Sequence, residues 1–199
     1  MQFVRRAPGK PSKLAILSGA FHPPTRAHLS LARAALNHAD EVLYVLPGRF
    51  PHKEYEGATL AQRIEMLSFA VAGEARFSIG VTEGGLFIEI ARECREVYGS
   101  DVALAFLCGR DAAERIVNWD YGEPNAIDGM LEVFELLVAP RGGGYQPPAH
   151  LRNRIASLAL KEDLDYISAT EVREKIQRGE PWEELVPESI VPLVRKYYG

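Results

Sequence analysis

The sequence predicts an α/β fold, a doubly wound parallel sheet with a C-terminal helical segment. Three observations point there. Strand-like and helix-like stretches alternate along most of the 199 residues, the pattern of parallel strands joined by right-handed crossovers. A short apolar run, Lys13-Leu14-Ala15-Ile16-Leu17-Ser18, ends at Gly19, which suits a buried strand. Beyond it Leu29, Leu31, Ala32, Ala35 and Leu36 recur near a period of 3.6, so a helix follows.

Extending this reading places strands over 13–18, 41–46, 76–81, 102–108 and 132–138. Helices are predicted over 26–38, 59–72, 85–98, 110–118, 148–160, 170–178 and 188–197. Asp120 to Gly129 and Gly142-Gly143-Gly144 read as loops, the latter beside Pro147-Pro148. There is no internal repeat and no low-complexity segment, and the length suits one domain over 1–199, its helical part beginning near 148. With the common strand order 3-2-1-4-5, the carboxyl ends of the first and fourth strands are neighbours. Ligands of open α/β sheets bind at such a point, so a Rossmann-like crevice is expected between Gly19 and Cys108-Gly109-Arg110-Asp111.

Composition narrows the function. Hydrophobic content of 47% and charged content of 25% are those of ordinary soluble globular proteins. A net charge of −4 argues against a general nucleic-acid binder. No apolar run is long enough to span a bilayer, and Met1 to Lys10 is basic without an apolar core, so neither a membrane partner nor a secretory signal is expected. Cys94 and Cys108 are too few and badly spaced for a zinc cluster; reduced thiols and a cytoplasmic chain are expected.

Two motifs carry the chemistry. In Gly19-Ala20-Phe21-His22-Pro23-Pro24-Thr25-Arg26-Ala27-His28, Gly19 admits a ligand close to the backbone, and Thr25 is a helix N-cap. His28 then falls in the first helical turn, where unpaired N–H groups and the macrodipole favour anions. The plain alternative is a strand–turn–helix corner with a surface histidine. In Ile167-Ser168-Ala169-Thr170-Glu171-Val172-Arg173, Ser168 and Glu171 have capping-box spacing, and Val172 and Ile176 continue a helix toward Gly179. Ser168, Thr170 and Arg173 also bring two hydroxyls and a guanidinium to that helix start. Capping alone accounts for the motif as well. Asp111 reads either as a ribose ligand or as a first-turn acid, and Trp119 either as a base-stacking or as a core residue. There is no G-x-G-x-x-G with a following acid, no G-x-x-x-x-G-K-[ST] and no G-x-S-x-G. His22 and His28 have no further ligand cluster, so no protein-held metal is expected.

Taken together, these residues resemble the nicotinate or nicotinamide mononucleotide adenylyltransferases of the HIGH-motif nucleotidyltransferases, over nearly the whole length. Gly19 to His28 is similar to the family's G-x-F-(D/N)-P-x-(H/T)-x-x-H turn. Pro51-His52-Lys53, Arg63 with Met66, Gly109-Arg110-Asp111 followed by Trp119, Val138 to Gly142, and Ile167 to Arg173 follow in family order. Leu185-Val186-Pro187 and Tyr197-Tyr198 fit its C-terminal end. His22 replaces the usual Asp or Asn, Thr25 the first histidine of H-x-G-H, and Ala27 its glycine. Glu83 to Glu89 lacks the Ser-Tyr-Thr-x-Asp-Thr-Leu stretch that contacts the pyridine ring in bacterial nicotinate mononucleotide enzymes.

The resemblance implies in-line attack of a mononucleotide phosphate on the α-phosphate of ATP. It implies His28 and Arg173 as catalytic residues, with Gly19, Ala20, Phe21, Thr25, Ile167, Ser168 and Thr170 also at ATP. Lys53, Gly109, Asp111, Trp119 and Arg141 would face the acceptor, and Mg²⁺ would be held mainly by ATP phosphates. A homo-oligomer, an acceptor other than a pyridine mononucleotide, and a nucleotide-binding protein without chemistry all stay open at this point.

Overall fold

The computed structural model describes residues 1–48, 57–119, 122, 126–140, 144–160 and 164–199. Among them lie seven strands, β1 (Gln2–Arg5), β2 (Lys13–Ser18), β3 (Glu41–Pro47), β4 (Phe77–Thr82), β5 (Ala103–Gly109), β6 (Glu135–Ala139) and β7 (Ile155–Ser157). The helices are α1 (Arg26–Ala35), α2 (Leu60–Ala70), α3 (Phe87–Tyr98), α4 (Arg110–Asn118), α5 (Ala126–Val133), α6 (Ala169–Arg178) and α7 (Val191–Tyr198). The strands form one sheet in the order β1-β4-β3-β2-β5-β6-β7. Its inner five repeat the expected 3-2-1-4-5 order, and only β1 pairs antiparallel, against β4. The α/β, doubly wound, Rossmann-like reading therefore holds.

Alternation along the strands makes the two cores. Leu14 and Ile16 of β2 face one side, with Leu43 and Val45, under Ile90, Cys94, Ala113 and Leu131 of α3, α4 and α5. Ala15 and Leu17 face the other, with Tyr44 and Leu46, under Leu29 and Ala32 of α1 and Leu67 of α2. A third cluster packs Val172 of α6 and Val194 of α7 with Met66 of α2. This last cluster brings the C-terminal helices to α1 and α2, beside the end of β2.

Three expectations are corrected. The helix expected over 148–160 is a short 3-10 turn, Ala149–Leu151, followed by β7. Leu151, Ile155 and Leu158 are spaced like one helical face, yet Leu151 and Ile155 enter the α3–α5 core and Leu158 the opposite one. Of the loop expected over Asp120 to Gly129, residues 120, 121 and 123–125 lie outside the described residues and 126–129 belong to α5, and β6 starts at Glu135 instead of 132. Ile127, Met130 and Leu131 supply the helical stripe that Asp128 and Gly129 disguise. β1 was not expected at all; it is only four residues long and only partly buried.

Candidate active site

The carboxyl ends of β2 and β5 lie side by side, their ladder running from Lys13↔Ala103 to Ile16↔Phe106. There a cleft of about 320 Å³ opens. It is lined by Gly19, Phe21, Thr25 and His28 from the first motif and by Ile167, Ser168 and Ala169 from the second, with Gly109 between them. The fold thus brings together two motifs about 140 residues apart, at the place the topology rule names. A larger hollow of about 850 Å³ on the far side of α1, between Arg33 and Glu188, includes none of Gly19, His28, Gly109 or Ser168. Size alone does not locate the site; the convergence of the motifs does.

The first turn is held by its own cap. Thr25 Oγ1 accepts from His28 N–H at 3.4 Å, and the Thr25 N–H donates to His28 Nδ1 at 3.0 Å. This is a full capping box with histidine in the place usually taken by Glu or Gln. Because Nδ1 accepts, the neutral ring carries its proton on Nε2, so the imidazole is a donor from its other edge. Phe21 packs edge-to-face on His28 at 5.1 Å and on Tyr44 at 5.4 Å. Gly19 donates its N–H to Val45 O at 3.0 Å, fixing the turn to β3. Among the described residues, a Cβ at Gly109 would meet no atom within 4 Å; it would enter the cleft instead.

The second motif caps α6 by half a box. Ser168 Oγ accepts from Glu171 N–H at 3.0 Å. Glu171 does not reciprocate; it lies 4.0 Å from Lys175 and 3.7 Å from Arg178, which corrects the expected box. Arg173 does not line the cleft, and its guanidinium ties the motifs together. Nη1 donates to His22 O at 2.6 Å and to Ala169 O at 3.1 Å, and Nη2 to Thr170 Oγ1 at 3.3 Å. Those three bonds leave Nε–H and one Nη2 proton of the five guanidinium donors.

The acceptor-side expectations fare unevenly. Asp111 and Trp119 lie outside the cleft lining, in a separate shallow concavity with Glu114, Arg115 and Asn118. Trp119 is 64% exposed. Lys53 and Arg141 fall outside the described residues. From Glu83 to Glu89, Phe87 alone lines the cleft, stacked on Phe106 at 4.2 Å. The polar groups there serve their own loop, since Thr82 Oγ1 donates to Gly84 O and Glu89 accepts from Leu86 N–H. Cys108 also lines the cleft, but burial pushes its thiol up to about 12, so it is no nucleophile near neutrality.

Sequence reasoning gave no role to Arg63 or Asp165. Asp165 lines the cleft. Arg63 is 6% exposed and donates from Nη1 to Ala20 O at 2.9 Å. A signal existed: Arg63 shares the buried face of α2 with Met66 and Leu67, a place where arginine is out of pattern.

This site, on this sheet, is that of a nucleotidyltransferase. The chain belongs to the cytidylyltransferase-like family, whose model matches residues 16–175. It is 30% identical to a probable nicotinate-nucleotide adenylyltransferase of Clostridium tetani, over 93% of this chain and 97% of that one. A protein of the same name from Gloeobacter violaceus is 31% identical over 92% of this chain and 94% of its own. Among solved structures, the chain resembles Plasmodium falciparum nicotinic acid mononucleotide adenylyltransferase complexed with NaAD, with a TM-score of 0.68 at 16% identity, covering 94% of this chain and 96% of that one. At that identity the likeness speaks for the fold.

Proposed function

We propose that this enzyme transfers the adenylyl group of ATP to a pyridine mononucleotide, releasing pyrophosphate, as a step of NAD biosynthesis. The observation that carries the reading is that both motifs, from the two ends of the chain, line one cleft at the end of β2 and β5. The names of the curated relatives support nicotinate mononucleotide as an acceptor.

The chemistry needs no covalent nucleophile. The acceptor phosphate oxygen forms a bond to the α-phosphorus as the bond to the bridging oxygen breaks, and pyrophosphate carries away the electron pair. Positioning and charge stabilisation do the work. His28 would donate from Nε2 to a phosphate oxygen as charge builds there. Ser168, Thr170 and the first turn of α6 would hold the leaving phosphates, where N–H groups and the macrodipole favour anions. Arg173, outside the cleft lining, would act on the same phosphates by holding His22 O, Ala169 O and Thr170 Oγ1 and so fixing both motifs.

Among the described residues no three His, Cys, Asp or Glu side chains gather to cage a metal. Mg²⁺ supplies charge neutralisation of the triphosphate when it arrives with ATP. The test is pyrophosphate release from ATP with Mg²⁺ and nicotinate or nicotinamide mononucleotide. Release dependent on the mononucleotide is expected; none with either would refute the acceptor.

A further inference from the structure

We infer that Arg63 and Tyr198 are positioning residues for the phosphate-binding turn: neither lines the cleft, and both hold the unusual backbone that sets the turn's direction. This rests on the reading that Gly19 to His28 receives ATP phosphates.

The starting point is Phe21, whose φ of 48° lies in the left-handed region. A bulky aromatic residue is a genuine outlier there and persists only where its surroundings over-determine it. They do so before it and one residue beyond it. The carbonyl before it, Ala20 O, accepts from Arg63 Nη1 at 2.9 Å, and the carbonyl after it, His22 O, accepts from Arg173 Nη1 at 2.6 Å. Two guanidiniums from two helices, α2 and α6, thus hold the Ala20–Phe21 peptide, directly before the strained residue, and the His22–Pro23 peptide, one residue beyond it. A buried arginine is costly unless its N–H groups are engaged, and engagement of a carbonyl inside the phosphate turn is a specific use of one.

Tyr198 adds the third helix. His22 is 2% exposed and its ring meets the Tyr198 ring edge-to-face at 5.1 Å. Gly57 borders both rings: its φ is 108°, and a Cβ there would come within 3.1 Å of His22 Cε1 and 3.9 Å of Tyr198 Cε1. The glycine leaves room where the imidazole meets the tyrosine ring, at the position where the resembling family carries Asp or Asn. The Tyr198 phenol is pushed up by burial and drawn back by the charges of Arg173 and Arg63, which places it in the field of both guanidiniums. Helices α2, α6 and α7 therefore converge on Ala20, Phe21 and His22. If that clamp loosens, the turn relaxes, and His28 and the turn's backbone lose their aim at the phosphates.

The test compares wild type with Arg63→Met, Arg63→Lys, Tyr198→Ala and Tyr198→Phe. ATP affinity is read by calorimetry, turnover by pyrophosphate release per folded molecule, and folding by thermal melting. Arg63→Met keeps the volume of a buried side chain, so it separates folding from aim. ATP affinity is expected to fall about tenfold, and kcat by up to about 10²-fold, as for a displacement of about 1 Å away from the reacting groups. Arg63→Lys recovers part of the loss, because one ammonium can still reach one carbonyl. Tyr198→Ala loses several-fold, and Tyr198→Phe restores it, since the ring and not the hydroxyl meets His22. Should Arg63→Met fail to fold, the lysine and Tyr198 variants carry the test. Folded Arg63 and Tyr198→Ala variants with ATP affinity and kcat within about threefold of wild type would overturn the inference, as would losses that merely track the unfolded fraction. Wild type that binds ATP without turning over a pyridine mononucleotide would remove the proposed function, and the ATP titrations would still decide this clamp.

Discussion

Where α1 and α6 begin, polar groups around the cleft are wired to the backbone. His28 and Thr25 cap each other, Arg173 spans His22 O, Ala169 O and Thr170, and Arg63 holds Ala20 O. Where β4 hands over to α3 the reverse is true. Thr82 and Glu89 close their own loop, and what faces the cleft is Phe87, an apolar ring stacked on Phe106. A preorganised polar surface stabilises charge that develops in a transition state, whereas an apolar wall offers shape and little else. On the function proposed above, this chain specifies adenylyl transfer more tightly than it specifies the substituent on the acceptor ring.

The largest effect that would break this contrast is at His28. His28→Ala removes the Nε2 donor, and turnover should fall about 10²–10³-fold in steady-state assays. It also removes one half of the α1 capping box, which costs about 1 kcal/mol, so the protein should still melt cooperatively. A folded variant with near wild-type turnover would mean the phosphate end is not preorganised by this residue. Next is Arg173→Lys. One ammonium cannot span two carbonyls and a hydroxyl, so kcat/KM for ATP should drop about tenfold or more. Unchanged ATP kinetics would make Arg173 a plain helix-surface residue.

A smaller effect sharpens the other end. With Phe87 as its wall, the site should separate nicotinate from nicotinamide mononucleotide by less than about tenfold in kcat/KM. Strong preference for the acid would show that polar residues outside the described set face the ring. The smallest effect concerns the thiols. Burial pushes Cys94 and Cys108 up to about 12 from 9.0. The folded state favours the protonated form, so this contribution is full below pH 9 and is lost as pH climbs toward 12. Iodoacetamide at pH 8 should leave activity unchanged, and thermal stability should decline through pH 9–12. Rapid native alkylation at pH 8 would contradict that burial.

Legibility followed the range of the interactions. The β2–α1 turn could be read from sequence because its signals are local: an apolar run, a glycine, an N-cap threonine and a helical period lie within about twenty residues. Alternation gave parallel strands with crossovers, and their order came from the arrangement common to doubly wound sheets. The bond from Arg173 to His22 spans 151 residues, and no local pattern announces it. Arg63 was visible as a motif member yet not as a partner of Ala20, for the same reason. The segment over 148–160 misled because apolar spacing records burial without recording against which core. Asp111 and Trp119 read well as neighbours of Gly109 in sequence, but α4 starts at Arg110 and places both outside the cleft lining.

The central claim is adenylyl transfer to a pyridine mononucleotide at this cleft. Its most direct test is pyrophosphate release from ATP and Mg²⁺ in the presence of nicotinate mononucleotide, nicotinamide mononucleotide or phosphopantetheine, each with wild type and His28→Ala. Release is expected with the two pyridine nucleotides, little with phosphopantetheine, and near-complete loss in the variant. Turnover with phosphopantetheine alone, or pyridine turnover that survives His28→Ala, would contradict it.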